Sequence, residues 1–320
     1  MVGVVGGESL PLHPADDRIP SMKAPLTAAE MVQDLRARLD RQEEWLAEER
    51  GVGAALRAAI LPEPGANMDL PTARIAVRYV PAVQPRGDGA APPYATLGGD
   101  WYEATTLPDG RVLLAVGDVS GHGMAAIAQM AQLRHALVGL AMTGRPPNRL
   151  LAWLNALVLN RLDDTIATVI VGLLDPATGL LTWAQAGHLA PIMIRDGRAR
   201  QLRAPRGLVL GASPDPPFTV SKVRLRPGDL LLMFTDGLVE RRDRDIDEGL
   251  ELIMSAAEKI GHHDLDAGLG FLIDAAGGPS PEDDTCLLAM GLRTVVEGLG
   301  SGGDRGRIPG SAGPVRGQVP

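Results

Sequence analysis

The sequence has a single cysteine, few aromatic side chains and no long apolar runs. Its one cysteine, Cys286, cannot form an internal disulfide, and its place in an apolar run indicates a buried, inert thiol. Aromatic residues make up 3% of the chain, so a core must be built from Leu, Val, Ala, Ile and Met, for which the apolar content of 45% is ample. No run of about 18 apolar residues occurs, which predicts no membrane-spanning helix.

Basic residues are also fewer than acidic ones, with 31 Lys and Arg against 39 Asp and Glu. The net charge is −8 and the pI is near 5.3, whereas a nucleic-acid-binding protein would show a basic face. The first 20 residues lack a basic segment followed by a long apolar stretch, so we expect no secretory signal and a cytoplasmic location.

Composition changes along the chain predict four segments. They are a flexible N-terminus at 1–26, a helical linker at 27–66, a folded domain at 67–294 and a disordered tail at 295–320. Within the linker, Thr27 and Glu30 resemble a capping box, and apolar residues recur at three- and four-residue steps. This helix either packs on its own domain or serves as a dimerisation or regulator-binding helix, and a homodimer would follow from the dimerisation alternative.

Within the folded domain, tight turns join several of the predicted strands, which indicates antiparallel pairing. Strands are expected at about 74–80, 111–117, 166–174, 180–186, 191–194, 199–202, 219–225, 230–234 and 285–291. Helices are expected in pairs, at about 123–143 and 147–160 and at about 247–260 and 264–275. This order predicts an α+β fold in which helix pairs cover antiparallel sheets.

Acidic residues stand where apolar strands meet polar loops. Asp118 follows the run at 112–116, Asp236 follows the run at 230–234, and Asp283 and Asp284 precede the run at 286–290. A fourth acidic signature is Gly98-Gly99-Asp100. Burying a charged carboxylate at the end of a buried strand costs free energy unless the group keeps contact with water, forms an ion pair or binds a cation. Oxygen ligands favour Mg²⁺ or Mn²⁺, which predicts a metal-dependent hydrolase.

The ordered set of motifs resembles the PPM-type metal-dependent serine/threonine phosphatases, in their bacterial SpoIIE/RsbU-like branch. The matching segments are Gly98-Gly99-Asp100-Trp101-Tyr102, Gly117-Asp118-Val119-Ser120-Gly121-His122-Gly123, Leu174-Asp175-Pro176-Ala177-Thr178-Gly179, Ala186-Gly187-His188, Phe234-Thr235-Asp236-Gly237-Leu238-Val239-Glu240 and Asp283-Asp284-Thr285. The resemblance covers about 70–292 and implies an αββα sandwich, in which two antiparallel sheets face each other and helices flank both.

The resemblance also implies two Mn²⁺ or Mg²⁺ ions that activate a shared water molecule. Asp118 would bridge the ions, and the Val119 carbonyl would be a further ligand. Asp236 and Asp283 would complete one shell, and Asp100 would bind directly or through water. Asp284 is the weaker alternative of its pair, because the family ligand is usually the first aspartate.

Asp118 and Asp236 would therefore carry catalysis through the metal-activated water. His122 is a candidate proton donor to the leaving oxygen, although a hydrogen bond at the start of the next helix is the alternative. His188 is expected to be structural.

By family analogy, the substrate is a phosphorylated STAS-type anti-sigma-factor antagonist, and the pathway regulates a sigma factor. One alternative is a pseudophosphatase that only binds a phosphoprotein. The other is a two-metal hydrolase of small phosphoesters.

Overall fold

The computed structural model describes residues 31, 33–42, 68–70, 72–82, 98–162, 164–261, 264–281 and 283–293. The chain divides into two units, Met1–Glu48 and Glu49–Pro320. The predicted flexible N-terminus, the rest of the predicted linker helix and the predicted tail lie outside the described residues.

In the first unit, residues 31 and 33–42 are helical. Met31, Leu35 and Leu39 follow one another at four-residue steps and are 53%, 59% and 54% exposed. They form one apolar face of the helix. A dimerisation or regulator-binding role for this face stays a prediction.

The second unit contains two antiparallel sheets. The six-stranded sheet has the order β1-β2-β11-β10-β7-β8, and the five-stranded sheet has the order β3-β4-β5-β6-β9. The strands are β1 (Met68–Asp69), β2 (Ala73–Val80), β3 (Trp101–Thr106), β4 (Val112–Val119), β5 (Ala167–Asp175), β6 (Leu180–Ala186), β7 (Ile192–Arg195), β8 (Arg198–Gln201), β9 (Ser221–Arg224), β10 (Leu230–Phe234) and β11 (Thr285–Leu292).

Two helix pairs flank the sheets. The helices are α1 (Met124–Ala141), α2 (Pro147–Arg161), α3 (Ile246–Ala257) and α4 (Leu265–Ala275). The pair α1 and α2 packs on the five-stranded sheet, and the pair α3 and α4 packs on the six-stranded sheet. Among the described residues, no helix combines the length and the apolar character needed to cross a membrane.

Strand β4 shows why the central strands contain continuous apolar runs. Val112, Leu114 and Val116 face the other sheet, whereas Leu113 and Ala115 face α1 and α2. A strand that is covered on both faces has a continuous run of apolar residues and not an alternation of apolar and polar ones. The two outer cores and the inter-sheet core together make an αββα sandwich, so the predicted fold is confirmed.

Strand β3 was not predicted from the sequence. Its residues include Glu103, Thr105 and Thr106, which do not form the apolar run that marks a buried strand. Glu103 is nevertheless buried, because Arg134 of α1 forms an ion pair with it at 2.7 Å. A partner 31 positions further along the chain thus compensates for the polarity of the strand.

Candidate metal centre

The five-stranded sheet brings two acidic signatures together. Strands β3 and β4 are antiparallel, with Trp101 opposite Gly117. Asp100, one residue before Trp101, therefore lies beside Asp118, one residue after Gly117. The charge of Asp118 contributes to the raised pKa of Asp100, which indicates that the two carboxyl groups are close.

The six-stranded sheet brings the other two acidic signatures together. Phe234 of β10 lies opposite Leu287 of β11, and the Thr235 amide donates to the Cys286 carbonyl at 3.0 Å. This register places Asp236, which begins a short 3-10 turn, next to the segment that carries Asp283.

Glycine is required where these segments cross. A Cβ atom at Gly99 would lie 2.2 Å from the Val119 carbonyl oxygen, and one at Gly237 would lie 2.0 Å from the Asp284 carbonyl oxygen. No other residue type allows the backbones to approach this closely. The glycines of the motifs therefore allow the carboxylates to come together.

The two sheets meet through Thr235. Its hydroxyl donates to Asp100 Oδ2 at 2.7 Å, although Thr235 follows a strand of one sheet and Asp100 precedes a strand of the other. Asp100 is only 1% exposed. All four acidic signatures thus lie at one end of the sandwich.

Burial and mutual repulsion raise the pKa values of these aspartates. Burial, followed by the charge of Asp236, raises the pKa of Asp118 to about 6. Burial, followed by the charges of Asp236 and Asp118, raises the pKa of Asp283 to about 7. Burial also raises the pKa of Asp236, and burial together with the charge of Asp118 raises that of Asp100 well above its ordinary value. These effects indicate an acidic cluster that lacks a balancing positive charge.

The donor chemistry of this cluster fits a hard divalent cation. Within the described residues, Asp100 Oδ1 and Asp236 Oδ1 are buried and have no hydrogen-bond partner. No three Asp, Glu, His or Cys side chains in that part of the chain already stand in a metal-holding arrangement. The aspartates are therefore neighbours that repel one another and not a preformed cage, and oxygen-binding Mg²⁺ or Mn²⁺ would relieve the repulsion.

The structure distinguishes the two adjacent aspartates. Asp284 is fully buried, and its carboxylate accepts hydrogen bonds from the Tyr79 hydroxyl and from the amides of Ala82 and Gly98 at 2.9 Å each. Asp283 is partly exposed and lines a cleft. Of the pair, Asp283 therefore has the carboxylate that is better placed to bind a ligand.

Two further predicted site residues lie near the acidic cluster. Val119 is buried at the end of β4, directly after Asp118. His122 is exposed just before α1 and forms an isolated β-bridge with Gly98. The carbonyl ligand role of Val119 and the proton-donor role of His122 stay predictions.

A family model described as Stage II sporulation protein E (SpoIIE) matches residues 108–293, more than half of the chain. The chain belongs to the SpoIIE family. The membership predicted from the motifs is thus confirmed.

Two curated relatives of this SpoIIE-family chain match it over about half of its length. It is 29% identical over 153 residues to phosphoserine phosphatase RsbU of Bacillus subtilis (strain 168), which covers 47% of this chain and 45% of RsbU. It is 28% identical over 182 residues to protein IcfG of Synechocystis sp. (strain ATCC 27184 / PCC 6803 / Kazusa), which covers 47% of this chain and 28% of IcfG. The chain therefore spans less than half the length of these relatives.

Solved structures share the fold. The RsbU and RsbW domains of Rv1364c from Mycobacterium tuberculosis match with 32% identity and a TM-score of 0.61, over 70% of this chain and 61% of that one. The PP2C phosphatase domain of SpoIIE from Bacillus subtilis matches with 19% identity and a TM-score of 0.56, over 69% and 64%. The sandwich of this SpoIIE-family chain is therefore the PP2C phosphatase fold.

A cleft of about 290 Å³ opens beside Asp283. Its walls come from the turn after Asp236 and from the loop before β11. The lining residues are Gly237, Glu240, Arg241, Arg242, Ser280 and Asp283. Arg241 donates to the carbonyls of Gly237 and Gly278. Arg242 is exposed in the wall of the cleft. Arg242 is thus a candidate to contact phosphate that was not predicted from the sequence.

Thr235 and Tyr79 donate hydrogen bonds to Asp100 and Asp284, and neither residue was predicted from the sequence. Thr235 had a usable signal, because it stands directly before Asp236 in a recognised motif. Tyr79 had none, because it lies 205 positions before its partner.

The raised pKa of Asp118 leads to a prediction for the metal-free protein. A carboxyl group whose pKa is raised by folding favours the folded state when protonated, and this contribution is lost as pH rises from about 4 to about 6. The Asp118→Asn variant should therefore gain stability relative to the wild type over this range, by on the order of 3 kcal/mol for a rise of about two pKa units. Urea denaturation in chelator at pH 4.5 and pH 7.5 measures this gain.

The stability of the variant is compared with that of the wild type at each pH because His188, present in both, gives a pH dependence of stability of the opposite sign. Burial lowers the pKa of His188 to about 4, so its contribution to stability increases as pH rises. Asp196→Asn, in the exposed turn between β7 and β8, is a matched control that should show no such gain. An equal gain in both variants would contradict the prediction.

Proposed function

We propose that this chain is a Mn²⁺- or Mg²⁺-dependent protein phosphatase that hydrolyses phosphoserine or phosphothreonine. The main support is the convergence of four acidic signatures from two sheets, with buried oxygens of Asp100 and Asp236 that lack a hydrogen-bond partner within the described residues. A fold alone does not establish an activity, so the proposal rests on this site.

Asp100, Asp118, Asp236, Asp283 and the Val119 carbonyl would hold the metal ions. When bound, divalent cations supply Lewis-acid activation of water and neutralise phosphoryl charge. Burial keeps the carboxylates in a medium of low dielectric constant, where their attraction for a cation is strong. Arg242, in the wall of the cleft beside Asp283, would supply a positive charge for the phosphoryl group.

The proposed substrate is a phosphorylated STAS-type anti-sigma-factor antagonist. Two likenesses support a partner protein of this kind: RsbU is named a phosphoserine phosphatase, and the Rv1364c structure contains an RsbU domain together with an RsbW domain. On this proposal, dephosphorylation would release a sigma factor.

A phosphate-release assay tests the proposal. Mn²⁺ should support hydrolysis of a phosphorylated STAS protein, and chelator should reduce the rate to background because the carboxylates alone do not activate water. A phosphopeptide and a nucleotide serve as comparison substrates. Binding of the phosphoprotein without turnover would instead support a pseudophosphatase, and preference for the nucleotide would support a small-phosphoester hydrolase.

A further inference from the structure

His188 lies in the interior of the sandwich and connects its two sheets. Its Nδ1 lies 2.8 Å from the hydroxyl of Thr168 in β5, and its Nε2 lies 3.1 Å from the carbonyl oxygen of Phe234 in β10. The histidine itself follows β6 and is only 8% exposed. One side chain thus bonds to a strand of each sheet.

The partners determine which ring nitrogen carries the proton. A carbonyl oxygen only accepts, so Nε2 must donate to Phe234. In the neutral ring Nδ1 then accepts from the Thr168 hydroxyl. The low pKa of His188, about 4 because of burial, agrees with a neutral ring.

Both partners are next to residues of the proposed metal centre. Thr168 lies opposite Asp118 in the β4–β5 pair, and opposed residues of antiparallel strands point to the same face. Phe234 stands two positions before Asp236. The path from Thr168 through His188 to Phe234 therefore joins the strand ends that carry these two aspartates.

The turn before His188 fixes the ring in place. Gly187 has φ = +67°, and a Cβ atom there would lie 2.2 Å from Val209 Cγ1, so glycine is required. The His188 amide donates to Gln185 Oε1 at 2.9 Å, and Gln185 Nε2 donates to the Pro205 carbonyl at 2.8 Å. The backbone around the histidine is thus held independently of its ring.

We propose that His188 is a positioning residue that sets the distance between the Asp118 and Asp236 strand ends, and thereby the affinity for divalent metal. The inference rests on the metal centre proposed above. It assigns His188 a role beyond stability, because repelling carboxylates need a rigid frame to present their oxygens to one cation.

The test measures Mn²⁺ binding by titration calorimetry, without turnover. His188→Phe keeps a ring but loses both hydrogen bonds, and we expect its Kd to rise about tenfold or more, as for changes to the partners of metal ligands. His188→Gln keeps a donor that can reach the Phe234 carbonyl, so its Kd should stay within about threefold of the wild type. Thr168→Val removes only the hydroxyl and should also weaken binding.

Asp229→Asn is the matched control. Asp229 is buried at the opposite end of β10 and accepts from Arg195 Nε and from the Arg226 amide. Seven residues of extended chain place it about 20 Å from Asp236. This variant should lose stability in urea while its Kd for Mn²⁺ is unchanged.

The outcomes separate the two proposals. If His188→Phe loses stability but binds Mn²⁺ as the wild type does, His188 is only structural and the inference is overturned. If His188→Phe does not fold, Thr168→Val replaces it, and an unchanged Kd there overturns the inference equally. If the wild type binds no Mn²⁺, the metal centre itself fails and the inference fails with it.

Discussion

Replacing Asp118 with asparagine should lower Mn²⁺-dependent hydrolysis of a phosphoprotein by about 1,000-fold or more, equivalent to about 4 kcal/mol of transition-state stabilisation. Asp118 is central to the acidic cluster, since its charge raises the pKa values of Asp100 and Asp283. Removing its charge would remove one of the carboxylates proposed to hold the metal. The rate of phosphate release at saturating Mn²⁺ measures the loss.

The fold of this variant should persist. Asp118 contributes repulsion and not packing, so its asparagine variant should unfold at higher urea than the wild type in chelator at neutral pH. Asp236→Ala should abolish activity in the same way, whereas Asp196→Asn should not change it. Full activity in both cluster variants would refute the proposed mechanism, and a loss caused by unfolding would be visible by circular dichroism.

Replacing Arg134 with methionine should lower the free energy of unfolding by about 3–5 kcal/mol. The Arg134 side chain is 11% exposed and that of Glu103 is 4% exposed, so the change leaves a buried carboxylate without its cation. The Tyr102 carbonyl also loses the donor Arg134 Nε. Urea denaturation measures the effect.

The pH dependence and a second substitution identify the cause. Burial already raises the pKa of Glu103 although Arg134 opposes the rise, so loss of the arginine should raise it further. The destabilisation should therefore be larger at pH 8 than at pH 5. Adding Glu103→Gln should restore more than half of the lost stability.

Arg78→Met removes a half-exposed pair with Asp266 and should cost less than about 1 kcal/mol. A similar loss in both arginine variants would contradict this account.

Strands β4 and β10 could be predicted because both faces of each are buried. A strand between two apolar layers carries apolar residues at every position, and turn residues bound the run. Strand β3 could not be predicted this way, because Glu103 is compatible with burial only when Arg134 of α1 lies beside it. The missing information was a contact between distant parts of the chain.

The acidic motifs were identified by their order along the chain, and the structure places all four at one end of the sandwich. Their order carried no information on the hydrogen bonds of each carboxylate. Asp283 and Asp284 are adjacent and chemically identical, yet it is the Asp284 carboxylate that accepts from Tyr79, Ala82 and Gly98.

The sequence by itself determined the strands with two buried faces, the turns that glycine permits, the family and the carboxylates available for a metal. Only the tertiary structure decided which carboxylate oxygens have donors, how Arg134 neutralises Glu103 and how His188 joins two sheets. The physical reason is the range of the interactions. Strand and turn preferences depend on residues a few positions apart, whereas the partners of a buried polar group come from any part of the chain that folding brings within hydrogen-bonding distance.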